Sequence, residues 1–303
     1  MTAAGLRLPD GLVRGTSRTA AGRAWLDSLH GVVHRLARRW EFRVTGVLDS
    51  RYGAVLTVRG GPTGRAVLKL SPPGAEALAE AFGLAAYQGA AVPALYERDD
   101  ALGALLVQEL RPGTPLAESG LTDEQATEAV ADVLDSLWSV PVARLERPRR
   151  LAEYTATRPA VLHARWTAAP GLAPEALLGA ALRILEEWDD PPAPVILHND
   201  LHHHNVLSSG GRWAAVDPKC SLGHREADLA PMLRNPWRAV EDVAELRARN
   251  RRRLRSLGAA LGLDQDRARR YALANSLDLA LWSASIGATD DAGYLAAVAR
   301  SLW

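Results

Sequence analysis

One stretch, residues 195–219, constrains the fold more than any other part of the chain. It reads VILHNDLHHHNVLSSGGRWAAVDPK. A short apolar run leads into a polar loop at 198–205, and an apolar pair, a Ser-Ser-Gly-Gly turn and a third apolar run ending at Asp217 follow. This order predicts strand, loop, strand, tight turn and strand. The hairpin would bring the polar loop next to Asp217.

The polar residues of this stretch form a set of oxygen donors. The loop supplies Asp200 and Asn205, and Asp217 follows the hairpin. Carboxylate and amide oxygens are ligands that Mg²⁺ prefers. Phosphoryl transfer uses one Asp to orient and deprotonate the attacking hydroxyl, and an Asn and an Asp to hold Mg²⁺ on the phosphates. The spacing H-x-D-x-x-x-x-N, with a further Asp after a hairpin, favours this chemistry over an ordinary hairpin with polar turn residues.

The distribution of basic residues points to the same chemistry. Among 36 Lys and Arg residues only Lys69 and Lys219 are lysines. A compact ammonium binds phosphate as a point charge, which a planar guanidinium does not reproduce. Lys219 lies two residues after Asp217, and Lys69 is the one charge in a strand-like run at 66–70. These positions favour a role of both lysines in phosphate binding over the alternative that they stand there by chance.

Three motifs carry a resemblance to a known family. They are LHNDLHHHNVL at 197–207, WAAVDPK at 213–219 and DLAPMLRNP at 228–236. The chain resembles the aminoglycoside phosphotransferases, a kinase-like family, and within it the streptomycin 6-kinase and hydroxyurea phosphotransferase branch. The resemblance covers nearly the whole length. Asn199 and His204 stand where many relatives have Gly, which bears on substrate detail rather than on the reaction.

The resemblance implies an α+β, two-lobed protein-kinase-like fold. An N-lobe at 1–110 would hold an N-terminal helix, an antiparallel β-sheet and a helix, and a mostly helical C-lobe at 111–303 would hold the catalytic loop and the acceptor site. Apolar periodicity agrees, since it predicts a helix at 19–40 after an irregular lead-in at 1–17, and a helix at 122–140 that begins with a Thr-x-x-Gln capping box. Other strands are predicted at 42–48, 54–58, 66–70, 94–96 and 104–107, and other helices at 74–88 and near 149–165, 174–188, 225–234, 237–258, 265–286 and 291–301.

The resemblance also implies a nucleotide site. Lys69 would hold the α- and β-phosphates of ATP, and Glu80 on the following helix would hold Lys69 in place, with Glu76 as the alternative partner. Backbone groups at the hinge would face the adenine, and the loop at 49–53 would cover the phosphates. The residues predicted there are Gln108 and Leu110 at the hinge, and Arg51, Tyr52 and Gly53 in the loop.

Further roles are implied around the catalytic loop and the acceptor. His198 and Asp228 would brace the loop. Lys219 would screen the γ-phosphate or contact the acceptor. A cationic antibiotic needs carboxylates, because buried cations are costly unless paired. Asp278 and Trp282, one helical turn apart, are therefore predicted to face the acceptor cleft, with plain core packing as the alternative for Trp282.

The implied reaction is O-phosphorylation of a small-molecule antibiotic hydroxyl, streptomycin or a related aminoglycoside, with ATP and Mg²⁺. Asp228 lies only 11 positions after Asp217, which leaves no room for the long activation segment of a protein kinase. The alternatives are a kinase for another small molecule, such as hydroxyurea, a peptide antibiotic or a biosynthetic intermediate, and a catalytically inactive nucleotide-binding regulator.

Composition excludes several other partners. A net charge of +1 provides no strong field toward nucleic acid or membrane, and the basic run RNRRRLR at 249–255 is predicted to be a solvated helix face. No zinc site is predicted at 202–204, because consecutive His side chains diverge. One cysteine, Cys220, predicted to be a buried thiol, fits a reducing cytoplasm. No membrane span or signal peptide is expected, and no signal of oligomeric state is present.

Overall fold

A five-stranded antiparallel sheet forms the first lobe in the computed structural model, which describes residues 7–50, 52–61, 64–236 and 242–303. The strands run in the order β1-β2-β3-β5-β4. Their bounds are β1 (Phe42–Leu48), β2 (Ala54–Gly60), β3 (Gly64–Leu70), β4 (Leu95–Asp99) and β5 (Ala104–Gln108). Alternate residues of β2 and β3 are buried, so one face of the sheet packs against the core.

Two helices precede the sheet, where one was predicted. Helix α2 (Ala20–Arg39) begins as expected, because the Thr19 hydroxyl accepts a hydrogen bond from the Gly22 backbone N–H at 3.0 Å. Helix α1 (Asp10–Thr16) replaces part of the irregular lead-in and buries Leu12 in the core that α2 forms with the sheet. The segment is short and has one buried side chain, so periodicity alone gave no signal.

Helix α3 (Ala75–Tyr87) belongs to the first lobe by sequence but shares a core with the second. Its side chains Phe82, Leu84 and Tyr87 lie in one apolar cluster with the C-terminal helices. The Tyr87 hydroxyl donates a hydrogen bond to the Ile196 carbonyl at 3.3 Å. Glu80, on the same helix, is therefore positioned by both lobes.

Two small sheets carry the segment at 195–219. Strands β6 (Pro112–Pro115), β8 (Val206–Ser209) and β9 (Arg212–Ala215) form one sheet, in which β8 and β9 are the predicted hairpin. Strand β7 (Val195–Leu197) pairs instead with β10 (Ser221–Gly223), which follows the hairpin. This pairing returns the chain after Asp217 to the side of the catalytic loop.

The second lobe is mainly helical. Helix α4 (Asp123–Trp138) begins with the predicted capping box of Thr122 and Gln125. The single helix predicted near 149–165 is two helices, since Pro159 lacks the N–H needed to continue a helix from the preceding turn. The remaining helices are α5 (Leu151–Ala156), α6 (Arg158–Ala168), α7 (Glu175–Glu186), α8 (Ala230–Arg234), which follows a 3-10 turn, α9 (Val243–Leu261), α10 (Gln265–Ser285) and α11 (Thr289–Leu302).

The basic run on α9 is only partly a solvated face. Arg249 and Arg253 are buried, which corrects the prediction for these two residues. The Arg253 guanidinium donates to the Asp123 carboxylate at 2.9 Å and to two backbone carbonyls, Met232 within α8 and Asn235 just after it. The first residues of the predicted helix, 237–241, lie outside the described residues. Within the described part of the chain, no helix is long and apolar enough to cross a membrane.

Candidate active site

Asp228 anchors the first residues of the proposed catalytic loop, residues 198–205. Its Oδ2 accepts hydrogen bonds from the His198 backbone N–H and the Trp138 indole N–H, both at 3.0 Å, and its Oδ1 accepts from the Asn199 backbone N–H at 2.6 Å. Burial raises the pKa of Asp228 to about 6, although the donated hydrogen bonds oppose this shift. The side chain thus ties together α4 and the start of the loop, which is the geometry expected of a brace.

Asn199 adopts a left-handed backbone conformation, with φ of 63°. Gly and Asn tolerate this region better than other residues, so Asn fits this position of the loop. The Asn199 side chain also donates to the Lys219 carbonyl at 2.7 Å and to the Ser221 hydroxyl at 3.0 Å. The Asn199 side chain therefore adds contacts between the loop and the segment after Asp217.

His198 links the loop to the strand that ends near Asp217. Its Nδ1 accepts a hydrogen bond from the Asp200 backbone N–H at 3.3 Å, so Nε2 carries the proton that it donates to the Val216 carbonyl at 3.0 Å. Burial lowers the pKa of His198 to about 4, which keeps the ring neutral. A neutral ring in this orientation holds the two ends of the hairpin at a fixed separation.

Asp200 lies between two cations. Its Oδ2 accepts from the Lys219 ammonium at 2.8 Å and its Oδ1 from the Arg234 guanidinium at 3.4 Å. Burial alone would raise the pKa of Asp200, but Lys219 and then Arg234 outweigh burial and lower it. The carboxylate is therefore ionised and oriented.

Arg234 is the residue that sequence reasoning missed. It is buried. Its Nη2 donates to Asp200, and its Nη1 donates to the Asn275 Oδ1 on α10 at 2.9 Å. It belongs to the Leu-Arg-Asn-Pro motif, but no role follows from the motif itself. Its contact with Asp200 spans 34 positions and is visible only in the fold.

Asn205 and Asp217 meet beside the first lobe. The Asn205 side-chain N–H donates to the Asp200 carbonyl at 2.9 Å, which leaves its Oδ1 free to act as an acceptor. The Val216 backbone N–H donates to the Asn205 carbonyl at 2.9 Å and so places Asp217 next to the loop. An amide oxygen and a carboxylate are hard donors, so this pair fits Mg²⁺.

Lys69 of β3 joins the two lobes at this point. Its ammonium donates to Glu80 Oε1 at 2.7 Å and to Asp217 Oδ1. Burial would lower the pKa of Lys69, but the carboxylates of Glu80 and Asp217 raise it overall. The predicted pair with Glu80 is present, and no hydrogen bond joins Lys69 to the alternative Glu76 among the described residues.

Among the other predicted nucleotide residues, Arg51 is outside the described residues, and the rest belong to the sheet or the segments next to it. Tyr52 is 84% exposed, and Gly53 packs against the end of β3, where an added Cβ would lie 2.7 Å from the Leu70 carbonyl oxygen. Gln108 ends β5 and pairs in register with Ala66 of β3. Leu110 follows and precedes β6. Their nucleotide contacts remain predictions.

The predicted acceptor residues differ in their surroundings. Asp278 is 6% exposed, and it accepts from Arg158 at 2.7 and 2.9 Å and from Arg165 at 3.1 Å. Its carboxylate is thus already paired within the chain, and direct pairing with an acceptor cation would require these guanidinium groups to move. Trp282 is 43% exposed, so it is not a fully packed core residue.

Only His203 separates from the other histidines; the His202 and His204 rings pack edge to face with centroids 6.0 Å apart, which corrects the expectation that all three side chains diverge. The His202 ring lies 3.9 Å from Asp200, His203 is buried against Arg253, and His204 is exposed. Burial lowers the pKa of His202 to about 4. Among the described residues, no group of three or more His, Cys, Asp or Glu is placed to hold a metal ion. Burial raises the pKa of Cys220 to about 12, as expected for an inert thiol.

Solved structures with the same architecture are kinases of small molecules. The aminoglycoside phosphotransferase APH(4)-Ia matches with a TM-score of 0.61 and 19% identity, covering 90% of this chain and 99% of that one. The choline kinase LicA of Streptococcus pneumoniae matches with a TM-score of 0.60 and 13% identity, covering 91% of this chain and 98% of that one. The predicted two-lobed kinase-like fold is confirmed.

Sequence comparison identifies the family. The streptomycin 6-kinase of Streptomyces griseus is 33% identical, with 98% of this chain and 97% of that protein covered. The hydroxyurea phosphotransferase of Kitasatospora aureofaciens is 33% identical, with 88% and 77% covered. Residues 39–287 match the family described as aminoglycoside/hydroxyurea antibiotic resistance kinase. The chain therefore belongs to this family and is a phosphotransferase that acts on a hydroxyl group.

Proposed function

We propose that the protein transfers the γ-phosphoryl group of ATP, with Mg²⁺, to a hydroxyl of a small-molecule antibiotic. The observation that carries the proposal is the convergence of Asp200, Asn205, Asp217 and Lys69 on one cleft between the lobes. The ADP-bound structure of APH(4)-Ia supports nucleotide use in this fold. Intact polar contacts at all four residues argue against an inactive nucleotide-binding regulator.

Each residue has a distinct task in the proposed reaction. Lys69, held by Glu80, would bind the α- and β-phosphates. Asn205 and Asp217 would hold Mg²⁺, which neutralises charge on the phosphates. Asp200 orients the acceptor hydroxyl, and because its pKa is lowered it is a weak base that takes the proton late.

Two acceptors are suggested by the relatives. Streptomycin, or a related aminoglycoside, is the candidate from the sequence, and it is supported by the streptomycin 6-kinase of Streptomyces griseus at 33% identity over 98% of this chain. The ion pairs of Asp278 favour the second candidate, hydroxyurea, because they leave no free carboxylate there for a cation. We keep both candidates because both relatives share the family.

The test is ATP-dependent transfer to a panel of antibiotics that includes both candidates, read as a mass gain of one phosphoryl group. Asp200→Ala should lose about 10²–10⁴-fold in kcat while nucleotide binding persists, since positioning and proton transfer contribute about this much. A variant that keeps more than about a tenth of wild-type kcat would remove Asp200 from the reaction. Absence of transfer to every acceptor, with ATP bound, would instead support a regulator.

A further inference from the structure

Three side chains of α10 form a row that begins close to Asp200, the proposed catalytic carboxylate. Arg234 bonds both Asp200 and Asn275 of α10. Asp278 and Trp282 follow Asn275 by three and seven residues, so all three lie on one face of the helix. A helix rises about 1.5 Å per residue, which puts Asp278 about one turn beyond the Asp200 contact. An acceptor whose hydroxyl meets Asp200 would extend along this face.

The charge on this face is positive among the described residues. Arg158 and Arg165 lie seven positions apart on α6, on the side that faces α10, and both bond Asp278. Neither arginine has a second carboxylate partner within the described ranges. One carboxylate between two guanidinium groups leaves a net charge of +1 and several N–H donors without a protein acceptor.

The two arginines are hydrogen-bonded to Asp278 and remain partly accessible. Their side chains are 14% and 24% exposed. Arg158 bonds Asp278 through two of its nitrogens, and its guanidinium carbon lies 5.1 Å from the centre of the half-exposed Tyr154 ring. Arg165 makes one bond to Asp278 at 3.1 Å, through Nη1. Its other nitrogens are therefore available as donors beside Asp278.

We propose that Arg158 and Arg165 bind a carbonyl or carboxylate oxygen of the phosphoryl acceptor. The acceptor is then neutral or anionic where it lies along α10, and a positive charge there is disfavoured. This inference rests on the proposed kinase function and specifies its substrate class. It replaces the expectation that Asp278 pairs directly with a cation, because Asp278 instead holds the two arginines in place.

Matched polyols test the inference without a known acceptor. Gluconate, sorbitol and glucamine share one carbon chain and differ by a carboxylate, a hydroxyl or an ammonium at one end. Their affinities are read from thermal stabilisation of the full chain at constant ionic strength. We expect gluconate to bind most tightly, sorbitol less tightly and glucamine least tightly. Equal or tighter binding of glucamine than of gluconate would overturn the inference.

Variants assign the effect to this site. Arg165→Gln leaves the two-bond Arg158–Asp278 pair intact and should weaken gluconate binding about tenfold without changing the affinity for ATP, since a charge-assisted hydrogen bond is lost. The control Arg270→Gln removes an exposed arginine on α10 that pairs with Glu187, and it should leave the order and the affinities unchanged. An Arg165→Gln protein that binds gluconate as wild type does would also overturn the inference.

Transfer assays separate this inference from the proposed function. If the best acceptor in the antibiotic panel is a polycation whose KM is unaffected by Arg165→Gln, the kinase function stands and the inference fails. If ATP is never consumed with any acceptor, the proposed function fails, whatever the order of polyol affinities. A neutral or anionic best acceptor, with a KM raised by Arg165→Gln and an unchanged KM for ATP, supports both.

Discussion

Asp200 receives hydrogen bonds from two cations that come from different parts of the chain. Lys219 is half exposed and follows the hairpin, whereas Arg234 is buried at the end of α8 and is itself held by Asn275. The exposed cation can exchange partners with a substrate more easily than the buried one. Arg234 is therefore the better candidate for a residue that positions Asp200 through the whole reaction.

Replacing Arg234 should change the pH dependence of the reaction. Arg234→Gln removes a charge that lowers the pKa of Asp200, so the acidic limb of kcat against pH should move to higher pH. We expect kcat to fall about 10²-fold with an unchanged KM for ATP, because a misplaced group can cost this much. Arg234→Lys retains the charge and should keep the acidic limb near its wild-type position. An unshifted profile in the Gln variant would assign Arg234 a purely structural role.

Lys69 should not tolerate arginine. Its ammonium lies between Glu80 and Asp217 and its side chain is only 16% exposed, so a longer planar group would displace one of the two carboxylates. We expect kcat/KM for ATP to fall about 10²-fold in Lys69→Arg. Steady-state kinetics with ATP varied measure this, with the melting temperature as the check on folding. An unchanged kcat/KM would mean that Lys69 is not needed as a point charge.

At the scale of elements, the site depends on the contact of α3 with the segment after Asp217. Gly83 of α3 packs directly on Cys220, and an added Cβ would overlap the Cys220 sulfur and lie 3.4 Å from Pro218 Cγ. This close approach positions Glu80, which lies almost one turn earlier on α3, next to Lys69. The absence of a side chain at position 83 is thus a requirement of helix packing rather than of backbone conformation.

Gly83→Ala should therefore destabilise the protein by about 1–3 kcal/mol, as overpacking does. The matched control is Gly293→Ala on α11, where an added Cβ meets nothing within 4 Å. That control should be stabilising by about 0.5–1 kcal/mol, because Ala favours helix. Urea unfolding measures both. Cys220→Ala should restore part of the stability of Gly83→Ala, and the absence of such coupling would show that the two residues are not in close contact.

At the scale of the whole molecule, an ion pair with a buried arginine joins α4, α9 and the C-terminal end of α8. Arg253 has 2% side-chain exposure and bonds Asp123 and the carbonyls of Met232 and Asn235. Burial would raise the pKa of Asp123, but Arg253 outweighs burial and lowers it. The stability that this carboxylate contributes is present above its ordinary pKa of 3.8 and is lost as the pH falls through the lowered value.

Asp123→Ala should destabilise the fold by about 3–5 kcal/mol at neutral pH, because it leaves a buried guanidinium without its carboxylate. The control is the neighbouring Glu124→Ala, whose pair with Arg252 is exposed and should contribute less than about 1 kcal/mol. Chemical unfolding of both variants measures the difference. If both variants lose the same small amount of unfolding free energy, the two backbone carbonyls are sufficient partners for Arg253.

Local patterns in the sequence predicted the sheet and the hairpin well, because strand alternation and turn residues act over a few positions. The ion pairs that shape the site were not predictable in this way. Arg158 is 120 positions from Asp278, and Arg253 is 130 positions from Asp123. A buried arginine and a solvated one look alike in a local window, and only the packing of distant helices separates them.

The placement of both lysines on the cleft makes amine acylation a selective reporter of this site. No other lysine competes for the reagent, and proteolytic digestion separates both lysines from the N-terminal amine, which also reacts. Lys219 has a side chain that is 53% exposed and is open to attack, whereas the 16% exposed Lys69 becomes nucleophilic only when it separates from its carboxylates and loses a proton. Mass spectrometry of the digested protein would follow acylation at Lys219 and at Lys69 separately. The rate of acylation at Lys69 measures how often the cleft opens around it.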